Sequence, residues 1–302
     1  MTRRATWRAL GLTAAVIGTA LAATVPANAA EAGQVVTRVS EADRAAALAH
    51  WTPERMRAVG EGDVAPAEKL AKPYAGAKPA GIGRLFVSTS KGEDLSCTAT
   101  VVPSSTRDVV FTAGHCLNGG TDRWENPITI VNVVFVPGYD RGERPHGVFA
   151  ARAFAWSDTY RGPSSGEDDN AVVAFDPVDG EHVEDVAGSQ AISFDAVASP
   201  VDATALGYPV SELNRGEALV SCARPATLRT NSVFAAWETD CDLAGGASGG
   251  PWLRGFDPVT GRGTIFAVTS RGTVNEEGVT TDLSGAAFTD AVRALHASAG
   301  TL

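Results

Sequence analysis

The chain has 302 residues, 44% of them hydrophobic, and a formal net charge of −10. That hydrophobic share is ordinary for a globular protein and argues against wholesale disorder. The acidity offers no electrostatic route to nucleic acid or to anionic membranes, and solubility accounts for it.

The N-terminus has the three parts of a secretory signal peptide. Arg3, Arg4 and Arg8 are basic, an apolar run extends from Leu10 to Val25, and Ala27-Asn28-Ala29 is a small-x-small cleavage site. The run is shorter than the ~20 residues of a bilayer span, and no basic stop-transfer cluster follows it. Residues 1–29 are therefore expected to be a cleaved signal, with the product secreted, extracellular and without stable membrane association. Export makes disulfides the default for the four cysteines, Cys97, Cys116, Cys222 and Cys241. Four cysteines allow three pairings. No Cys-x-x-Cys occurs and the five histidines show no metal-ligand spacing, so a zinc site is not expected, and the sequence implies no cofactor.

Residues 30–80 differ in texture from the rest of the chain. Ser40 stands as an N-cap before an Ala-rich helical run to His50, and Thr52-Pro53-Glu54 opens a second helix with a cap, a first-turn proline and a first-turn acid. Pro66, Pro73 and Pro79 punctuate a stretch from Ala65 to Ala80 that reads as a linker. This region is expected to be a propeptide or a retained N-terminal extension. From Gly81 the pattern changes to short β runs at 82–87, 98–102, 109–112, 128–136, 171–175, 203–206 and 265–269, broken by Gly, Pro, Asn and Asp. Strands dominate, which points to an all-β barrel or sandwich. Phe288, Val292 and Leu295 recur at helical spacing and predict a C-terminal helix packed on the body.

Two segments carry chemistry: Thr112-Ala113-Gly114-His115-Cys116 and Gly246-Ala247-Ser248-Gly249-Gly250-Pro251. A serine hydroxyl is a poor nucleophile unless a base takes its proton, and imidazole, with an unperturbed pKa of ~6.5, suits that task. A buried carboxylate then holds the imidazole in one tautomer and stabilises its charged form. Between the two segments lies Glu167-Asp168-Asp169-Asn170-Ala171-Val172-Val173, an acidic cluster running into an apolar strand.

In this order, in an exported β-rich chain, these segments resemble the active-site signatures of the trypsin/chymotrypsin-like serine peptidases. The branch they most resemble is that of the secreted bacterial glutamyl-endopeptidase-like enzymes. The resemblance covers about residues 81–302. It implies two six-stranded antiparallel β-barrels, here with a C-terminal helix and a helical N-terminal extension. It implies a serine endopeptidase acting on peptide or protein substrates as a monomer, with His115, Asp169 and Ser248 as triad. Aligning on Ala171-Val172-Val173 selects Asp169, with Asp168 as the alternative. The N–H groups of Gly246 and Ser248 would form the oxyanion hole. Thr269, Ser270, Arg271 and Gly272 match the strand that pairs with substrate backbone. Cys97 and Cys116 match the family disulfide that brackets the histidine loop, leaving Cys222 to pair with Cys241.

The chain departs from the family pattern in places. Asn170 stands at a usually apolar position. Ala247 stands where many relatives carry the aspartate that pairs with a freed N-terminal amine. Thr269 falls where glutamate-specific relatives usually have a histidine. Asp242 is six positions before Ser248, where trypsin has its basic-specificity carboxylate, but the loop lacks the neighbouring Cys of that pattern. Two rival readings compete with the peptidase. Gly246-Ala247-Ser248-Gly249-Gly250 also fits the nucleophile elbow of α/β-hydrolases, but Pro251 and a β-like run come next and His296 is the only later histidine. A protease fold retained as a non-catalytic binder would rest only on Ala247 and Asn170.

Overall fold

The computed structural model describes residues 28–302 except 32, 63, 164–166 and 231–234; the signal reading of residues 1–29 falls almost wholly outside them. The described chain opens with a hairpin of β1 (Asn28–Glu31) and β2 (Gln34–Arg38), followed by α1 (Glu41–His50) and α2 (Pro53–Ala58). Both helices are capped as their sequences predict. Ser40 Oγ accepts Asp43 N–H at 3.1 Å, and Thr52 Oγ1 accepts Arg55 N–H at 3.3 Å with Pro53 in the first turn. A short β3 (Lys72–Pro73) then leads into the first barrel.

That barrel comprises β4 (Ile82–Thr89), β5 (Asp94–Val101), β6 (Val109–Thr112), β7 (Ile130–Pro137), β8 (Phe149–Ser157) and β9 (Ala171–Phe175). The strand order is β8-β7-β4-β5-β6-β9, and pairing of β8 with β9 closes the ring. Several of these strands are buried on both faces, so they read as continuous apolar runs rather than as an alternation. Leu85, Val87, Val110, Val173 and Phe175 fill the barrel interior. Their neighbours Phe86, Phe111, Val172 and Ala174 point outward into a second core, shared with Leu206, Leu253 and Ile265. One period-2 pattern thus serves two cores.

After α3 (Val183–Ala187) and β10 (Ala191–Ile192) comes the second barrel: β11 (Val201–Gly207), β12 (Val220–Thr230), β13 (Ala235–Thr239), β14 (Pro251–Asp257), β15 (Arg262–Val274) and β16 (Thr280–Ala287). Its order is β15-β14-β11-β12-β13-β16, closed by β15–β16. Closure pairs both outer strands of each sheet, leaving only short stretches of strand edge unpaired. The predicted C-terminal helix is α4 (Asp290–Ser298), capped by Thr289 and burying Val292 and Leu295.

Between the barrels Arg84, fully buried, donates to Glu217 Oε1 at 3.0 Å, and Tyr139 Oη donates to the same carboxylate at 2.8 Å. The N-terminal extension packs on both barrels. β2 pairs with β8, Trp51 Nε1 donates to the Asn132 carbonyl at 2.5 Å, and Met56 is fully buried. Burying such a side chain contributes roughly 1.5–3 kcal/mol. The stretch read as a linker is instead docked on the second barrel. Ala65 bridges to Ser211, and β3 pairs with Ser221 and Val220 of β12. Among the described residues no helix is long and apolar enough to cross a membrane.

Candidate active site

His115 lies in a single 3₁₀ turn (Gly114–Cys116) directly after β6. Its backbone N–H donates to Asp169 Oδ1 at 2.8 Å, and its Nδ1 meets Asp169 Oδ2 at 2.8 Å. One carboxylate therefore grips both the main chain and the ring, fixing the imidazole with Nδ1 as donor and Nε2 free to act as base. A third donor, Ser270 Oγ, reaches Asp169 Oδ2 at 2.5 Å. Ser270 sits at a register shift in the β15–β16 ladder, between the pairs Thr269↔Gly285 and Arg271↔Ser284. A bulge there re-aims one side chain out of the strand alternation, and here it turns a hydroxyl toward Asp169.

Asp169 is 3% exposed. Burial opposes its charge. The hydrogen bonds and charge of His115, with the Ser270 hydroxyl, outweigh burial and hold its carboxyl below the usual carboxylate range. Asp168, the alternative, makes different contacts: its carboxylate accepts from Thr159 Oγ1 and from Thr289 Oγ1, the cap of α4. It anchors the loop, and Asp169 alone of the two engages His115. Tyr160 covers this side of the site. Burial, then the charge of Asp169, raise its phenol well above the ordinary value, so it stays neutral.

Ser248 occupies a turn that β5 holds closely. Thr98 N–H donates to the Ser248 carbonyl at 2.8 Å, and Thr98 Oγ1 donates to the Gly246 carbonyl at 2.9 Å. Gly249, at φ +77°, admits no side chain: a Cβ would meet Thr112 Oγ1 and lie 2.7 Å from Ala113 N. Gly246 has φ +95°, a backbone region that favours glycine. Around it Ala247, Gly249 and Gly250 N–H donate to the Ala244, Thr269 and Ala247 carbonyls. Among the described residues, the N–H groups of Gly246 and Ser248 have no such partner. Two uncommitted amides two residues apart, in a turn held by glycines, are what an oxyanion requires. No hydrogen bond joins Ser248 Oγ to His115 Nε2; catalytic contacts of this kind commonly tighten only around substrate.

Disulfides join Cys97 to Cys116 and Cys222 to Cys241, as the resemblance implies. The first ties β5 to the histidine turn, and the second ties β12 to the segment that leads into the Ser248 loop. Both sulfurs beside His115 are thereby spent, so the cluster of Cys97, His115 and Cys116 has no thiolate to hold a metal.

The four residues of the predicted substrate strand divide in role. Thr269 is buried and its Oγ1 accepts from Trp252 Nε1 at 3.0 Å, while Ser270 serves Asp169. Arg271 is exposed, and Gly272 pairs with Leu283 of β16. Pairing of β14 with β15 stops at Pro251↔Val268, so beyond Thr269 that edge of β15 has no strand beside it among the described residues. Asp242 is not a free specificity carboxylate. It is 4% exposed and accepts the N–H groups of Lys69, Leu70 and Ala71 at 2.6, 2.7 and 2.8 Å. Thr98, Tyr160 and Glu68 also shape the site, and no motif announced them; only Thr98, next to Cys97, lay beside a residue singled out in the sequence.

No protein-family model matches the chain, and no curated protein does. Solved structures do. The protease Anisep from Arthrobacter nicotinovorans is 27% identical, covers 75% of this chain and 99% of its own, and superposes with a TM-score of 0.63. A Glu endopeptidase at 17% identity, covering 79% of this chain and 100% of its own with a TM-score of 0.59, shows likeness of fold alone. The thermostable serine protease AL20, from an extremophilic microorganism, is 30% identical, covers 74% of this chain and 97% of its own, and has a TM-score of 0.64. Two barrels, the gripped histidine and this likeness together place the chain in the trypsin/chymotrypsin-like family of serine proteases, hydrolases of peptide bonds.

Proposed function

We propose that the protein is a secreted serine endopeptidase working through a Ser-His-Asp triad and an acyl-enzyme. The observation that carries this reading is the Asp169 carboxylate holding His115 by main chain and ring, beside a turn whose Gly246 and Ser248 amides have no backbone partner among the described residues. Ser248 Oγ attacks the scissile carbonyl carbon as His115 Nε2 takes its proton. The carbonyl oxygen becomes an oxyanion held by the Gly246 and Ser248 N–H groups. Collapse expels the amine, which takes the proton from His115, and leaves an ester on Ser248. Water, deprotonated by His115, then hydrolyses that ester by the same steps. The free edge of β15 from Ser270 to Gly272 receives the substrate backbone by strand addition, and the exposed Arg271 lies along it.

Residues 1–29 serve as export signal, and the two disulfides suit an oxidising compartment. Of the two readings for residues 30–80, the packing supports a retained extension for 65–80. The substrates are peptides or proteins, and the enzyme acts as a monomer without nucleic acid. A fluorophosphonate probe tests the reading. The secreted protein is expected to be labelled at Ser248, with labelling abolished in Ser248→Ala and strongly slowed in His115→Ala. A folded wild-type chain that takes no label is a binder rather than an enzyme.

A further inference from the structure

The loop that carries the oxyanion donors has an apolar residue, Ala247, fully buried beneath it, so no charge at that position can anchor it. Two of its polar anchors link it to a segment 170 or more residues away in sequence. Glu68 is 7% exposed. Its Oε1 accepts the Ala244 N–H at 3.3 Å, and its Oε2 accepts from Ser211 Oγ, itself fully buried, at 2.5 Å. In the opposite direction, the Asp242 carboxylate takes the three consecutive N–H groups of residues 69–71. The two carboxylates are reciprocal. One from the extension grips the loop's backbone, and one from the loop grips the extension's backbone.

The loop continues from these anchors to the reacting atoms without slack. The Ala244 carbonyl accepts Ala247 N–H at 3.2 Å, and the Gly245 carbonyl accepts Val210 N–H at 2.6 Å. Gly246, the next residue, is held through its own carbonyl by Thr98. The peptide that orients the Gly246 N–H therefore lies between Glu68's hold on Ala244 and Thr98's hold on Gly246. Both carboxylates are buried where an unpaired charge is costly, so each contact is expensive to leave unmade.

We propose that Glu68, locked in place by Asp242, is a positioning residue for the oxyanion hole: the segment Glu68–Ala71 pre-forms the catalytic loop, so that activity needs no ion pair at position 247. This rests on the protease reading above. Hydrogen-bond donors to an oxyanion act through their alignment, and a misplacement of about 1 Å costs on the order of 10²-fold in rate. Losing Glu68 frees the loop on one side only, so a smaller loss applies.

The test compares Glu68→Ala, Glu68→Gln and Ser211→Ala with wild type in the full secreted chain. Active sites are counted by fluorophosphonate titration, and kcat and KM are measured per titrated site on a peptide substrate. Glu68→Ala is expected to lower kcat about 10- to 100-fold with KM within about threefold, as expected when transition-state stabilisation alone is lost. Glu68→Gln, which keeps an acceptor for Ala244 N–H and can donate to Ser211 Oγ, is expected to restore kcat to within about threefold. A per-site kcat for Glu68→Ala within about threefold of wild type overturns the proposal, because a merely structural role changes how many sites form and not how fast each turns over. Should Glu68→Ala not fold, Ser211→Ala decides: a several-fold fall in per-site kcat supports the proposal and an unchanged value overturns it. Wild type carried in parallel separates the two levels. Absence of label at Ser248 sinks the protease reading, whereas labelled and unimpaired variants sink the clamp alone.

Discussion

Asp169→Asn isolates what the carboxylate contributes beyond its shape. In the wild type two oxygens accept three hydrogen bonds, from His115 N, His115 Nδ1 and Ser270 Oγ. Asparagine supplies one acceptor oxygen and one NH₂ group. With the oxygen turned to the His115 backbone, the NH₂ faces Nδ1, which must then become the acceptor; the ring proton moves to Nε2, and the base that Ser248 needs is gone. With the amide turned the other way, the NH₂ is set against a backbone N–H, two donors buried face to face. The first arrangement costs activity and the second costs stability, so the first is adopted. Trapping the wrong tautomer costs about 10⁴ in kcat in such triads, about 5 kcal/mol at 1.36 kcal/mol per decade. Active-site-titrated kcat on a peptide substrate measures it, with thermal unfolding to confirm an intact fold. Asp168→Asn is the control, since that carboxylate takes only the Thr159 and Thr289 hydroxyls; it should stay within ~10-fold of wild type. If Asp169→Asn loses less than ~10-fold, or if Asp168→Asn is the more damaged variant, the assignment of the acid is wrong.

Two further predictions concern stability. Glu217→Ala leaves the Arg84 guanidinium, fully buried and fixed over the Phe86 and Tyr139 rings, without its carboxylate, and should cost about 3–5 kcal/mol in denaturant unfolding. A loss under ~1 kcal/mol would mean that water reaches the guanidinium. His296 is held below its ordinary pKa by burial, against a smaller opposing effect of the Pro103 backbone, and its ring lies against Phe111 and Phe194. The unfolded chain therefore binds the extra proton first, so the stability that the neutral ring contributes is intact well above pH ~6.5 and falls as pH drops through that value toward the lower native pKa. Urea midpoints at pH 7.5 and pH 5 should differ less in His296→Leu than in wild type; equal differences refute the burial argument.

What the sequence discloses and what it hides depend on where information is local. The strands at 82–89, 109–112 and 171–175 are rich in β-branched and aromatic residues and were legible for that reason. β8 is Phe-Ala-Ala-Arg-Ala-Phe-Ala-Trp-Ser, β12 carries Pro225, and β16 is Thr-Thr-Asp-Leu-Ser-Gly-Ala-Ala. None of these has a strong intrinsic preference, and cross-strand pairing decides them. Both helix caps and the C-terminal helix were legible because a cap is a contact across three residues. His115 and Ser248 stand in motifs and could be found. The choice between Asp168 and Asp169 could not be made from residue type alone, because either would serve chemically; a positive φ at Asp168 and the direction of β9 turn only Asp169 to the histidine. Glu68 meets Ser211 and Ala244, and Asp242 meets the backbone of residues 69–71, across separations of 143 to 176 residues, with no spacing rule to reveal them. Asp242 in particular has a position that suggests substrate recognition and contacts that are structural.

The same contacts define how much chain the catalytic unit requires. A boundary at Gly81 matches the change in composition, yet cutting there removes the Lys69, Leu70 and Ala71 N–H groups and leaves the Asp242 carboxylate buried and unpaired. Stripping a buried charge of its partners costs about 3–5 kcal/mol. The β3–β12 pairing, the fully buried Ala71 and the 2.9 Å bond from Gln190 Nε2 to the Ala80 carbonyl go with it. Against a typical domain stability of about 5–15 kcal/mol, those losses together are enough to unfold the second barrel or leave it marginal. A chain cut after Gly62 keeps every one of these contacts and loses the helices that pack on the first barrel, with Trp51 and Met56. Residues 63–302 are thus expected to fold, less stably than the whole, and to label at Ser248, whereas residues 81–302 are expected neither to fold cooperatively nor to label. Denaturant unfolding with active-site titration on both truncations decides the matter. A fully labelled 81–302 with the unfolding midpoint of the longer chain would show that Asp242 finds other partners and that the extension is dispensable.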